Sequence, residues 1–361
     1  MLDTLPAELL EFITSALLAG DISALARTCT ILHAVSTPLL YGSIALGHPT
    51  DPTRTIQCMQ TLAHNTKNAR LVRNFGLIWR GYGDQEDLTA LYDSAPGAFE
   101  QMVNLTDLSL EFGSDVDLFI LKRAKFKLRR LHCRLRIYSR YMIRPFLEAQ
   151  PSIESLSVIV TDSQNFIDLG PDVLPALREI AAPSTSLQRI LPQRLSSLKT
   201  VRCLHSFRRP DRSVRAFTRI IDTIRMIPPD ASIDLGFNIS FSEGLVRWSV
   251  VRALLDLGHR APWVGSLTLQ AERNESFTQG ILLVNVTSAI RNFQNLHTLV
   301  ILSERQAKLQ SNAFQDSVSL PLPDESHNVA EHKTYLDAWR SARPTLRRVE
   351  FPTGAYTFGE S

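Results

Sequence analysis

The sequence is poor in the features that announce a membrane, an oxidising compartment or a chemical reaction. Its four cysteines, at 29, 58, 133 and 203, stand far apart with no Cys-x-x-Cys pair. That excludes a disulfide framework and a zinc module of ordinary spacing. No window approaches the roughly 18 uninterrupted apolar residues of a membrane span. Asp3, Glu8 and Glu11 break the start of the chain, so no signal peptide is expected and a reduced intracellular compartment, cytoplasmic or nuclear, is. A net charge of +3 over 361 residues is too small to name a partner. No glycine- or serine-rich linker divides the chain.

Catalytic spacing is missing as well. There is no Gly-x-Ser-x-Gly elbow and no phosphate loop, and Gly81-Tyr82-Gly83 reads as a turn. His327 and His332 with Glu331 lack the His-Glu-x-x-His order that sets two ligands and a base on one helix face. Cys203-x-His205 and His132-Cys133 place cysteine beside histidine, but both cysteines occupy apolar positions of a recurring pattern and read as core. The expectation is a non-catalytic protein with no cofactor and no metal.

What is present begins at the N-terminus. Leu5-Pro6 opens a helix, with Asp3 or Thr4 as its cap, and Leu9, Leu10, Ile13, Leu17 and Leu18 follow at helical spacing. Gly20-Asp21 separates it from a second helix carrying Ile22, Leu25, Ala26, Cys29 and Leu32, which Pro38 stops. A helical unit of about 40 residues is too small to stand alone without a staple. Its apolar face needs completion by the rest of the chain or by another protein.

These residues resemble an F-box: Leu5-Pro6-x-Glu8-Leu9-Leu10-x-x-Ile13, Leu17, Asp21-Ile22-x-x-Leu25, Thr28-Cys29 and Pro38-Leu39-Leu40-Tyr41. The likeness covers residues 5–46. It implies that segment 1–46 binds a Skp-type adaptor, and through it a cullin-RING ubiquitin ligase, using Leu5, Pro6, Leu9, Leu10, Ile13, Leu17, Asp21, Ile22, Leu25 and Cys29. Tyr41 stands where many members have tryptophan.

From residue 47 to 361 one apolar pattern returns. Val72-x-x-Phe75-x-Leu77, Leu105-x-x-Leu108-x-Leu110, Leu128-x-x-Leu131-x-Cys133, Ile153-x-x-Leu156-x-Val158, Leu177-x-x-Ile180-x-Ala182 and Leu198-x-x-Val201-x-Cys203 share one spacing. Ile233-x-Leu235, Val264-x-x-Leu267-x-Leu269, Leu296-x-x-Leu299-x-Ile301 and Leu346-x-x-Val349-x-Phe351 continue it. Ser43–Leu46 reads as a short strand and 53–71 as a helix. Further helical periodicity falls at 115–126, 211–227, 243–257, 277–293 and 325–343, and residues 317–328 read as a loop. Short strands alternating with helices give parallel strands joined by crossovers. From 105 to 198 the pattern starts lie 21 to 25 residues apart, which resembles leucine-rich repeats, though the repeat asparagine is missing and something else must do its work. The predicted fold class is α/β, a helical F-box followed by an irregular leucine-rich-repeat-like solenoid. An ordinary α/β domain with buried parallel strands is the alternative.

Between the apolar positions, Asp107, Ser109, Arg130, His132, Arg134, Ser155, Ser157, Thr200, Arg202 and Asp234 would share the open face of such a sheet. Arg130, His132, Arg134 and Arg202 are the candidate target contacts. They belong to two basic runs: Lys122 to Arg140, with nine cations and no acid, and Arg202 to Arg219. Such runs suit an acidic protein segment, a solvated face or, with less support from aromatic neighbours, nucleic acid. The sequence therefore reads as a substrate-recognition subunit with an unknown protein target. The alternatives are a non-ligase scaffold, or a nucleic-acid binder using 122–140. The ending Trp339-x-x-x-Arg343-Pro344-x-Leu346 is similar in pattern to fungal F-box families.

Overall fold

A computed structural model describes residues 5–47, 52–79, 85–112, 118–135, 140–160, 169–170, 172–207, 222–223, 226–227, 233–241, 249–271, 286–302, 328–351 and 354–358. The chain forms two compact units, the first running from Met1 to Ile167 and the second mostly from Leu177 onward. The fold class is α/β, with strands that are almost all parallel. Among the described residues no helix is long and apolar enough to cross a membrane.

The first unit opens with three helices, α1 (Ala7–Ser15), α2 (Ala19–Leu25) and α3 (Thr30–Gly42). The expected long second helix is split. Thr28 Oγ1 donates to the Leu25 carbonyl at 2.8 Å and Cys29 is fully extended, so residues 26–29 form a turn. A threonine hydroxyl that takes a helical carbonyl competes with helix continuation. Gly20 and Asp21 lie inside α2 rather than between helices, and Pro38 lies inside α3 rather than ending it. Pro38 and Ala34, whose carbonyl loses its partner there, are both exposed, so the missing hydrogen bond falls on the wet side.

The chain passes directly from α3 into β1 (Ser43–Leu46). Then come α4 (Pro52–His64), α5 (Thr66–Ala69), β2 (Asn74–Trp79), α6 (Gln85–Gln101), β3 (Asp107–Phe112), a 3-10 turn (Leu118–Leu121), β4 (Arg130–Leu135), α7 (Arg140–Glu148) and β5 (Ser155–Val160). β1 to β5 pair in chain order and in parallel, with Leu108, Leu131 and Leu156 in one register row and Leu77, Leu110, Cys133 and Val158 in the next. All seven are buried. Behind the strands Phe75, Phe99, Phe126 and Phe146 meet edge to face, with centroids 5.5, 6.3 and 6.5 Å apart, the arrangement that aromatic quadrupoles favour.

The second unit repeats the logic with β6 (Glu179–Pro183), α8 (Ser184–Ile190), β7 (Thr200–Phe207), β8 (Asp234–Phe241), α9 (Ser249–Arg260), β9 (Ser266–Ala271), β10 (Thr298–Leu302), α10 (Asn328–Ala342), β11 (Arg348–Phe351) and β12 (Gly354–Thr357). Ala182, Cys203, Phe237, Leu267, Leu299 and Val349 form one buried row across six parallel strands. β12 alone turns back antiparallel on β11. Trp339 of α10 stacks on Phe351 at 5.8 Å and donates to Thr287 Oγ1 at 2.7 Å.

The recurring pattern thus lands on β2 to β11, except that in β8 the buried pair is Leu235 and Phe237 rather than Ile233 and Leu235, and β1 falls on the expected four residues. The helix expected at 53–71 is interrupted at Asn65, whose side chain caps α5. Of 115–126, the described part, 118–126, holds a 3-10 turn only at Leu118–Leu121. The helices expected at 243–257 and 325–343 are α9 and α10, and 286–290 is helical. Most of 211–227, the loop at 317–328 apart from Asn328, Gly81-Tyr82-Gly83, Asp3 and Thr4, and His327 lie outside the described residues. Helices α6, α7 and α8, and strand β12, were not expected from the sequence.

In place of an asparagine ladder, main-chain carbonyls just before the strands each accept two successive N–H groups. Arg73 O takes Thr106 N and Asp107 N at 2.9 and 3.1 Å, and Thr106 O takes Arg129 N and Arg130 N at 2.7 and 3.1 Å. Arg129, Arg178, Gly265 and His297 carbonyls do the same for the strands that follow them. Polar side chains reinforce these turns. Asn104 donates to the Arg70 carbonyl at 2.7 Å, Ser152 to Leu128 at 2.8 Å and Thr345 to Leu296 at 3.0 Å.

Candidate functional site

Two surfaces collect the residues singled out in the sequence, one at the N-terminal helices and one on the polar side of the strands.

The N-terminal helices bury little and expose much. Leu10, Ile22 and Leu32 are buried, with Thr14 and Ser36 beside them in the sense of burial. Leu9, Phe12, Ile13, Leu18 and Ile31 are exposed, Phe12 most of all at 75%. On α1, positions 9, 12 and 13 are helical neighbours at i, i+3 and i+4, so they form one apolar stripe. Leu18 immediately precedes α2, and Ile31 lies in the first turn of α3. Single exposed leucines are ordinary on a protein surface; an adjoining apolar stripe marks an interaction surface.

Of the residues expected to meet a partner, Pro6, Leu9, Ile13, Asp21 and Cys29 are exposed. Leu5, Leu17 and Leu25 are half-buried. Leu10 and Ile22 point inward and hold the three helices together, so they do not meet solvent. Sequence reasoning passed over Phe12, Leu18 and Ile31 as contacts. The signal for Phe12 was its place beside Ile13 on the turn opposite Leu10, which sets it on the outer side of the stripe.

On the strands, alternation puts Arg130, His132 and Arg134 on one face of β4 and Leu131 and Cys133 on the other. His132 and Cys133 therefore point to opposite sides, and they do not share a site. Arg130 pairs with Asp107, directly across from it on β3, and Asp107 also accepts from Thr106 Oγ1 at 2.7 Å. Arg134 Nη1 donates to Glu111 Oε1 at 3.3 Å, again across the same two strands. His132 lies between Ser109 and Ser157 in register. Its burial pushes the imidazole below its ordinary 6.5, Glu111 opposes this and Arg134 adds to it.

The basic run 122–140 is laced with acids in space. Lys125 pairs with Glu100 of α6 at 2.7 Å, and Arg129 with Glu154 at 2.9 Å, in addition to the two pairs on β3. The hydrogen bond from Lys125, with its charge, holds the Glu100 carboxyl below the usual range. Lys127 donates to the Ala149 carbonyl at 3.1 Å, and Lys122 lies 4.8 Å over the Phe119 ring. Arg136 lies outside the described residues.

In the second unit, Arg202 Nη2 donates to Asp234 Oδ2 at 2.6 Å. The guanidinium crosses Gly236, where any β-carbon would collide with it. His297 Nε2 stands 3.6 Å from the other oxygen of Asp234, and its Nδ1 lies 3.1 Å from Thr298 Oγ1. Arg202 is thus fixed by an acid of the neighbouring strand, like Arg130 and Arg134 in the first unit. Arg208 to Arg219 lie outside the described residues.

Cys133 and Cys203 are buried in the core rows, where burial pushes both thiols up to about 12. Among the described residues, no group of three or more His, Cys, Asp or Glu is arranged to hold a metal ion. Compared with known proteins, the chain matches no family model and no curated protein.

Proposed function

We propose that this chain is the substrate-recognition subunit of a Skp-cullin-F-box ubiquitin ligase. Helices α1 to α3 serve as the F-box and dock on a Skp-type adaptor, and the stranded region, read as an irregular leucine-rich-repeat-like solenoid, holds a protein target. The chain supplies no reacting group; it positions the target for the ligase's partner enzyme. The observation that carries this reading is the exposed apolar stripe of Leu9, Phe12 and Ile13, on a three-helix segment whose own core is a few side chains. Covering an apolar stripe is favourable by roughly 25 cal/mol per Å², and a rigid helical face loses little entropy on docking. In support of the repeat-like reading stand the chain-order parallel pairing and the doubly accepting carbonyls. The ion pairs threaded through 122–140 favour a protein target over nucleic acid, because binding to phosphates draws on unneutralised charge.

Co-expression with a Skp-type adaptor tests the proposal. The intact chain is expected to co-purify, and Phe12→Asp to lose the adaptor while keeping its thermal unfolding midpoint, since Phe12 packs on nothing it would leave empty. Phe12→Ala should weaken binding by about 2 kcal/mol, roughly thirtyfold. Failure of the folded, intact chain to capture the adaptor would sink the reading. Capture without recruitment of a cullin would reduce it to a scaffold.

A further inference from the structure

Arg130, Arg134 and Arg202 are each met by an acid, so they leave no surplus of positive charge on the strand faces. The surplus lies at the edge where β2 to β5 begin. The carbonyls of Arg73, Thr106 and Arg129 each clasp the start of the next strand, so the turns before β2, β3, β4 and β5 stand side by side in chain order. Residues 65–73 bring Lys67, Arg70 and Arg73 to this edge, and residues 122–129, which lead into β4, bring Lys122, Arg123, Lys125, Lys127 and Arg129. Residues 100–106 and 149–154 bring one acid each, Glu100 and Glu154. Eight cations therefore face two carboxylates, a surplus of six.

Both acids are already engaged, Glu100 by Lys125 at 2.7 Å and Glu154 by Arg129 at 2.9 Å. The other six cations, Lys67, Arg70, Arg73, Lys122, Arg123 and Lys127, are exposed, and among the described residues none of them pairs with a carboxylate. Three of them have neutral neighbours: Arg73 Nη1 reaches the Asn104 carbonyl at 3.5 Å, Lys127 the Ala149 carbonyl at 3.1 Å, and Lys122 lies 4.8 Å over the Phe119 ring. Helix ends explain part of this basic edge, since α4, α6 and α7 finish there and helix C-termini favour cations. Each end supplies roughly half a negative charge, so the three offset about one and a half of the surplus. The larger part stays open to solvent and to a partner.

Four turns at strand spacing extend over roughly 14 Å. A run of about five acidic residues in an extended segment covers a similar length, so it matches the rim in both span and number of charges. Attraction of this kind reaches roughly 10 Å at 0.1 M salt and does not depend on the direction of each side chain. Single-stranded nucleic acid asks for more, namely rings on which its bases stack. Among the described residues of these turns the one exposed ring, Phe119, already has a lysine over it. Resting on the reading that the stranded region holds a protein target, we propose that the basic rim at the start of β2 to β5 binds a short run of acidic residues in that target. The rim reads the number and density of charges rather than a fixed sequence.

The test uses the full chain without any adaptor, and fluorescence anisotropy of labelled twelve-residue peptides. One carries five successive glutamates, a second has glutamine in their place, and a third spreads the five glutamates over every second position. A single-stranded oligonucleotide and vesicles containing phosphatidylserine stand for the other anions. The first peptide is expected to bind at least tenfold more tightly than the second and several-fold more tightly than the third. Raising the salt from about 0.05 to about 0.3 M shortens the reach of charge and should weaken it at least tenfold. Lys67→Glu/Arg70→Glu is expected to lose at least tenfold and Arg123→Glu several-fold, both with an unchanged thermal midpoint, since these side chains are exposed. Lys333→Glu, on the exposed side of α10, alters net charge as much as Arg123→Glu and should leave binding as it was. Equal binding of the glutamate and glutamine peptides, equal binding of the clustered and spread glutamates, indifference of the folded chain to Lys67→Glu/Arg70→Glu, equal losses in Arg123→Glu and Lys333→Glu, or tighter binding of the oligonucleotide or the vesicles would each overturn the inference. Phe12→Asp separates the two proposals: it should abolish adaptor capture and leave peptide binding unchanged, whereas Lys67→Glu/Arg70→Glu should do the reverse. Failure of peptide binding with adaptor capture intact removes this inference alone.

Discussion

At His132, burial sets the direction of pH dependence. The folded imidazole lies below 6.5, so on the acid side of neutrality the unfolded chain takes a proton that the native chain refuses. Stability then rises with pH through that window and is lost as pH falls. The thermal midpoint is expected to drop between pH 7 and pH 5, and His132→Asn should flatten that drop. Glu100 does not confuse the measurement, because its lowered carboxyl titrates below 4.5. The cysteines divide by the same physics. Cys133 and Cys203 have thiols pushed up to about 12 and no access, and burial raises Cys58 to about 11, whereas Cys29 is exposed at the start of α3. A maleimide reagent at pH 7 is expected to label the native chain at Cys29 first and to reach Cys133 and Cys203 only after denaturation. Labelling of Cys133 in the native state at the rate of Cys29 would contradict the burial of that strand row.

Among the elements, the turns before the strands carry more than their length implies. Gln150 is buried between α7 and β5, takes the Leu128 N–H at 2.9 Å and donates to the Phe126 carbonyl at 3.1 Å. Gln150→Ala leaves both backbone groups buried without partners, at a cost of about 3 kcal/mol, which urea unfolding would register as a lower midpoint with an unchanged slope. This bracing was not legible in the sequence, because no fixed residue type performs it; asparagine, glutamine, serine and threonine do it in different turns. Strands were legible because their apolar pairs recur at a fixed spacing, alternate residues of each strand facing the core. Helices were less so. Pro96-Gly97 inside α6 and Pro145 inside α7 look like breaks by composition. Gly97 instead lets α6 lie against α4, where a β-carbon would sit 3.4 Å from that of Ala63. The second helix of the N-terminal segment fails as a prediction for the converse reason: its apolar spacing is continuous, and only the hydroxyl of Thr28 breaks it.

For the molecule as a whole, charge and apolar surface are distributed by strand pairing rather than by sequence position. Four of the nine cations of 122–140, Lys125, Arg129, Arg130 and Arg134, read as part of a patch because their acids, Glu100, Glu154, Asp107 and Glu111, lie before or after them in the chain and meet them only when β3, β4 and their flanking turns assemble. The candidate site on the N-terminal helices was legible as a segment, but its outward side was not, since periodicity marks a stripe without saying which edge of it the rest of the chain covers. Leu10 and Phe12 exchange the roles a leucine-rich reading would give them.

The carbonyls that each clasp two N–H groups fix where β3, β4, β5, β7, β10 and β11 begin, each against the strand before it. Alignment is settled at that point, within a few ångströms, and nothing about it depends on how far the chain travels in between. The path from β6 to β7 is short and the path from β10 to β11 is long, yet Thr200 and Arg348 are seated by the same two-pronged contact. Length can therefore accumulate or disappear between strands without shifting the rows of side chains on either face, and a surface read by a partner keeps its spacing while the segments behind it are free to diverge.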